Sequence, residues 1–93
     1  MDWKVEIKKF YPFMLRMKNA TLLGYADVVI DNLIEVRGIK LLKKDNGGVF
    51  ILPPSVQTKE GTFSEVVKFV NLKLREKVRK TLSEYYKENY GNL

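Results

Sequence analysis

The 93-residue chain contains no cysteine and no histidine. Without cysteine there are no disulfides, no thiolate metal ligands and no thiol nucleophile. Without histidine, a Ser–His dyad, a His-ligated zinc and an imidazole general base are excluded as well. No apolar run comes near the roughly 20 residues that span a bilayer. The opening Met1-Asp2-Trp3-Lys4 shows no signal-peptide core, so no membrane insertion is expected and the expected compartment is the cytoplasm. Acidic residues are in deficit: 11 Asp and Glu stand against 17 Lys and Arg, a net charge of +6. Small basic domains often meet polyanions, because phosphate contacts release counterions. The rest is an ordinary globular mixture, 45% hydrophobic and 30% charged, too apolar for disorder. The length suits one domain over residues 1–93. Such a chain buries only about 60–68% of its unfolded surface, so its core is thin and oligomerisation would enlarge it.

Residues 3–10 alternate, with Trp3, Val5 and Ile7 on one face and Lys4, Glu6 and Lys8 on the other, which predicts a half-buried strand. Pro12 and Asn19 interrupt the pattern over residues 11–19. A second strand is predicted over 20–31, with Leu22, Ala26, Val28 and Ile30 on one face and Leu23, Tyr25, Asp27, Val29 and Asp31 on the other. Asp31-Asn32 is a turn. The third strand, 33–44, breaks phase: Ile34 and Val36 are even-numbered, Ile39 and Leu41 odd, with Gly38 at the break. A β-bulge there would return both pairs to one face. Asp45-Asn46-Gly47-Gly48 is a hairpin turn, VFIL at 49–52 a fourth strand ended by Pro53-Pro54, and 63–70 a fifth strand after the loop 55–62. Leu74, Val78, Leu82 and Tyr85 form an apolar stripe on a helix over 72–90, N-capped by Asn71 and ended by Gly91. Arg75, Arg79, Tyr86 and Tyr90 flank that stripe. Strands first and a helix last predict an α+β class: an antiparallel β-sheet of about five strands with a C-terminal α-helix.

Candidate chemistry is sparse. Asp27, Asp31 and Glu35 recur every four residues, but no other ligand accompanies them, and they read as a solvated strand face without a metal. Ser55 and Thr58 lack a base, since a loop Lys59 has no burial to lower its pKa, and they read as turn hydroxyls. Gly47-Gly48 lacks the Lys-Ser/Thr tail of a phosphate-binding loop. No catalytic residue, cofactor or small-molecule substrate is therefore expected, and no enzyme. The basic residues gather in three places: Lys8, Lys9, Arg16 and Lys18; Arg37, Lys40, Lys43 and Lys44; and Lys73, Arg75, Lys77, Arg79 and Lys80 at the start of the helix. Cations at a helix N-terminus oppose the macrodipole by roughly 0.3–1 kcal/mol each, which points to a use other than stability. That use is a phosphate-binding surface, or else the charge keeps a protein-interaction module in solution. Phe10, Phe50, Phe63 and Phe69 are expected in the core. Tyr86 and Tyr90 are candidates for base stacking or for a subunit interface.

Pro54-Ser55-x-x-Thr58-x-Glu60-Gly61-x-Phe63 resembles the Pro-Ser-Lys-Arg-Thr-Pro-Asp-Gly-Glu-Phe signature of the stage V sporulation protein G family, SpoVG. The likeness runs on through Asn71, Arg75, Lys77, Leu82, Glu84 and Tyr85, and upstream includes Ala26, Ile30, Asp31, Ile39 and Lys40. Residues 26–86 carry it well and the first 20 weakly. Val56-Gln57 replaces the family's Lys-Arg pair and Lys68-Phe69 its His-Pro. The resemblance implies a homodimer that binds DNA or RNA and regulates septation, sporulation and gene expression. On this reading Arg75, Lys77 and Arg79 contact phosphate, with Lys73, Lys40 and Lys44 contributing.

Overall fold

The computed structural model describes residues 2–91; Met1, Asn92 and Leu93 lie outside them. The elements are β1 (Val5–Arg16), β2 (Ala20–Ile30), β3 (Ile34–Lys44), β4 (Val49–Leu52), β5 (Ser55–Gln57), β6 (Phe63–Glu65) and α1 (Leu72–Tyr90). β1 to β4 form an antiparallel meander in chain order, and β5 and β6 form a separate two-stranded ribbon. The α+β class is the expected one. The stretch 63–70, expected as a fifth strand, is paired only at Phe63–Glu65, because its partner is the short β5 and not the sheet edge.

β1 runs through Pro12 rather than stopping there. It is an edge strand, where a residue without an N–H can sit without breaking a central ladder. Pro12 pairs with Gly24. A Cβ at Gly24 would lie 2.6 Å from both the Phe10 Cζ and the Tyr11 carbonyl oxygen, so only glycine admits this close approach. The Phe10 ring over Gly24 meets Tyr85, Tyr86 and Tyr90 at centroid distances of 5.7, 6.0 and 5.5 Å. This cluster fastens the last turns of α1 to the first hairpin.

Simple alternation groups Leu22 with Ala26, Val28 and Ile30. The structure corrects this: the register shifts between Leu22 and Gly24. Leu23 therefore joins Ala26, Val28 and Ile30 beneath α1, and Leu22 turns to the other face with Ala20 and Leu42. Two adjacent leucines hide the shift, since either could supply the core residue. The bulge expected at Gly38 is present. The four residues Val36 to Ile39 of β3 lie opposite the three residues Ala26 to Val28, Gly38 has φ 81°, and Val36, Ile39 and Leu41 all face the same core. Asp27, expected on a solvated face, is instead buried at this bulge. Its Oδ1 accepts the Gly38 N–H at 3.0 Å and its Oδ2 accepts the Tyr11 hydroxyl at 3.3 Å. Asp27→Ala leaves that amide without an acceptor and is expected to cost about 1–3 kcal/mol in urea denaturation. A stability within 0.5 kcal/mol of wild type (roughly the range of neutral surface changes) would reject the assignment.

Asp31 and Asn32 both adopt positive φ, 53° and 56°, in the β2–β3 turn, a conformation that asparagine and aspartate tolerate. The Asp31 Oδ1 also accepts the Lys4 N–H at 2.6 Å. Arg16 grips both carboxylate oxygens of Asp45, joining the end of β1 to the β3–β4 turn. The hydrogen bond from Arg16 holds the Asp45 carboxyl below its ordinary pKa.

α1 spans the expected residues. The Asn71 Oδ1 accepts the N–H groups of Lys73 at 2.9 Å and Leu74 at 3.1 Å, and the Gly91 N–H donates to the Lys87 carbonyl. Val78 and Leu82 are fully enclosed with Val28, Ile39, Leu41 and Ile51. Leu74 and Tyr85 pack at the margin of this core. Of the phenylalanines expected inside, Phe10 and Phe69 are buried and Phe50 is half-buried, while Phe63 is 69% exposed. Tyr86, a stacking candidate by sequence, is buried against Phe10. Among the described residues no helix is long and apolar enough to cross a membrane.

Candidate nucleic-acid interface

The six residues singled out for phosphate contact fall into three settings. Lys73 and Lys77, with Lys80, lie exposed on the solvent side of α1. Their spacing of four and three residues makes one stripe, and none of them forms an ion pair among the described residues. No acidic residue occupies the first helical turn, so the macrodipole adds to the positive charge of Lys73 there, and Lys77 and Lys80 carry the stripe on along the helix.

Arg75 and Arg79 lie on the flank of the helix and are partly committed elsewhere. Arg75 Nη2 donates to the carbonyl of Ile51 at 3.2 Å. Ile51 belongs to β4, the other edge of the sheet, so Arg75 caps a carbonyl that has no further strand to meet. Arg79 Nε donates to Glu76 Oε2 at 2.9 Å, and a second bond links the same two groups. The hydrogen bond to Glu76 raises the Arg79 pKa, and the one from Arg79 lowers the Glu76 pKa. Arg79 thus brings little net charge, and Arg75 does structural work that an exposed lysine does not.

Lys40 and Lys44 stand on the opposite side of the sheet. Ile39 and Leu41 point into the core beneath α1, so Lys40 between them points away from it. The register aligns two rows on that far face: Tyr11, Tyr25, Lys40 and Leu52, and beside it Leu15, Leu22, Leu42 and Phe50. The β5–β6 ribbon borders the same face with Phe63. Three lysines each lie over an aromatic ring there: Lys9 at 4.9 Å from the Tyr11 centroid, Lys40 at 5.6 Å from Phe63, and Lys44 at 5.6 Å from Phe50. Sequence reasoning missed this pairing of Lys40 with Phe63. They are 23 positions apart, on strands of two different sheets, β3 and β6.

The other candidates resolve into structural tasks. Asp27 serves the bulge, Asp31 the backbone of Lys4, and Glu35 accepts from Arg37 Nε at 2.7 Å. Among the described residues no three acidic side chains form a cluster that could hold a metal ion. Thr58 closes the β5–β6 turn through its hydroxyl, 2.7 Å from that of Thr62, and through its N–H to the Thr62 carbonyl. Ser55 lies in β5 opposite Glu65, and Val56-Gln57 is exposed on the same strand.

Meander, ribbon, capping helix and divided cations define a small basic α+β protein built around one antiparallel sheet. A family model for SpoVG matches residues 3–88. Three relatives that carry the SpoVG septation-protein name are similar to it. That of Anaeromyxobacter sp. (strain Fw109-5) is 34% identical over 68 residues, 72% of this chain and 69% of its own. That of Borrelia hermsii is 33% identical over 73 residues, 77% of this chain and 75% of its own. That of Caldanaerobacter subterraneus subsp. tengcongensis is 38% identical over 68 residues, 70% of this chain and 74% of its own. The chain belongs to the SpoVG family.

Proposed function

We propose that residues 1–93 act as one domain of a cytoplasmic, non-enzymatic regulator that binds DNA or RNA and influences gene expression in septation or sporulation. The observation that carries this reading is the stripe of exposed Lys73, Lys77 and Lys80, without ion pairs among the described residues, that begins at the positive end of α1. Arg75 and Arg79 border it and would add contacts where they can release Ile51 and Glu76. The relatives' name supplies the link to septation. A homodimer is part of the proposal. Tyr86 is covered within the chain, but Leu33 is 85% exposed and Val70, Leu72 and Tyr90 are exposed as well.

Replacing Lys73 and Lys77 together by alanine is expected to lower the slope of log K against log salt by about 2 on duplex DNA, one unit for each phosphate that is no longer neutralised. Lys87→Ala, three turns away beside Glu84 and Glu88, is expected to change it less. Titrations at several salt concentrations read this out. An unchanged slope in the folded double variant would favour a protein-interaction module whose charge serves solubility.

A further inference from the structure

The sheet face away from α1 holds an open groove of about 480 Å³, lined by Leu15, Tyr25, Lys40, Leu42, Leu52 and Phe63. That volume is within the range of small-ligand sites. Its walls are aromatic and aliphatic, yet Lys40 stands inside it, and Lys44 lies in the row beyond Leu42. Phe63 is 69% exposed, on a ribbon whose base is closed by the Val66 N–H donating to the Pro54 carbonyl at 3.0 Å.

These features favour one class of occupant. An apolar protein surface laid here would bury the Lys40 ammonium, which makes no ion pair among the described residues even with Glu65 at the same groove, and that burial is costly. A duplex keeps its base faces stacked inside and would leave Phe63 and the groove unused. A single strand offers both complements: a base face for the ring and a phosphate for the ammonium. We propose that this groove takes the unpaired bases of single-stranded nucleic acid, with one base stacked on Phe63 and the backbone running past Lys40 and Lys44. Glu65, also at the groove, turns the phosphates toward that lysine side. The proposal rests on the nucleic-acid reading above and adds to it the strandedness of the ligand and a second surface.

The test is fluorescence anisotropy with a labelled oligothymidylate of about 12 nucleotides, a small single-strand footprint, an abasic strand of the same length, and a duplex. Phe63→Ala is expected to weaken oligothymidylate binding about tenfold and to leave the abasic strand and the duplex unchanged. Phe63→Tyr, which keeps a stacking face, is expected to retain wild-type affinity. Lys40→Gln is expected to reduce the single-strand salt slope by about 0.7. An unchanged oligothymidylate affinity in Phe63→Ala, or an equal loss on the abasic strand, would overturn the proposal. So would a drop from dimer to monomer mass in Phe63→Ala, which would assign the groove to a second copy of the chain. Salt-dependent binding of the duplex alone would overturn it while leaving the helix surface standing. Binding of no strand at all would overturn both.

Discussion

Gly24→Ala is expected to destabilise the protein by about 3 kcal/mol, the upper end of the usual cost of overpacking. The added methyl meets two obstacles at 2.6 Å, the edge of the Phe10 ring and the Tyr11 carbonyl oxygen. The ring could rotate, but only by leaving the cluster it forms with Tyr85, Tyr86 and Tyr90. The carbonyl belongs to the paired backbone of β1 and cannot move without opening the β1–β2 ladder. Both routes loosen the contact between the first hairpin and the C-terminal half of α1. The change should therefore appear twice: as a lower urea midpoint and as a weakened near-ultraviolet dichroism of the tyrosines. Adding Phe10→Ala to the variant should not restore stability, because the carbonyl conflict remains. Wild-type stability in Gly24→Ala would show that the hairpin does not approach as closely as described.

Leu82→Ala should have an effect of similar or greater size. Leu82 is fully enclosed between α1 and the sheet, among Val28, Ile39, Leu41, Ile51 and Val78. Removing its isobutyl group forfeits the transfer energy and leaves a cavity that a rigid sheet cannot collapse, for a total of about 2–5 kcal/mol. A domain of this size has about 5–15 kcal/mol to lose. Each kcal/mol shifts the Tm of such a domain by about 4–8 °C, so a fall of at least about 8 °C is expected. Leu72→Ala provides the contrast: Leu72 is 75% exposed at the start of the same helix, and its removal should stay within about 0.5 kcal/mol. Equal effects for the two leucines in thermal melts would contradict the placement of the core.

The functional consequence of the fold is a division of charge. By sequence the basic residues read as three clusters that could converge on one surface. The sheet keeps them apart, with Lys73, Lys77 and Lys80 outside the helix and Lys40 and Lys44 on the far face. Arg75 is drawn toward the edge strand and Arg79 toward Glu76. Replacing Arg75 consequently tests edge protection and phosphate binding together, whereas Lys73 and Lys77 test charge with little structural cost.

Local chemistry alone determined a good part of this protein. The helix over 72–90, its Asn71 cap, the turns at Asp31-Asn32 and Asp45–Gly48, and the bulge at Gly38 all depend on residues near one another in the chain. The physical preferences involved, such as capping oxygens, positive φ and the phase of apolar residues, are short-ranged. The β5–β6 signature that resembled SpoVG lies within ten residues for the same reason. What only the tertiary structure decided concerns pairs that sequence distance keeps apart. The continuation of β1 through Pro12 depends on its being an edge strand, and the choice between Leu22 and Leu23 on a register shift against β3. Whether Phe63 or Tyr86 is the exposed aromatic depends on which of them the Phe10 cluster encloses. Amphipathic periodicity shows that a residue has a face to bury, but the partner that covers it is set by long-range pairing, and with it which aromatic rings and cations remain in water.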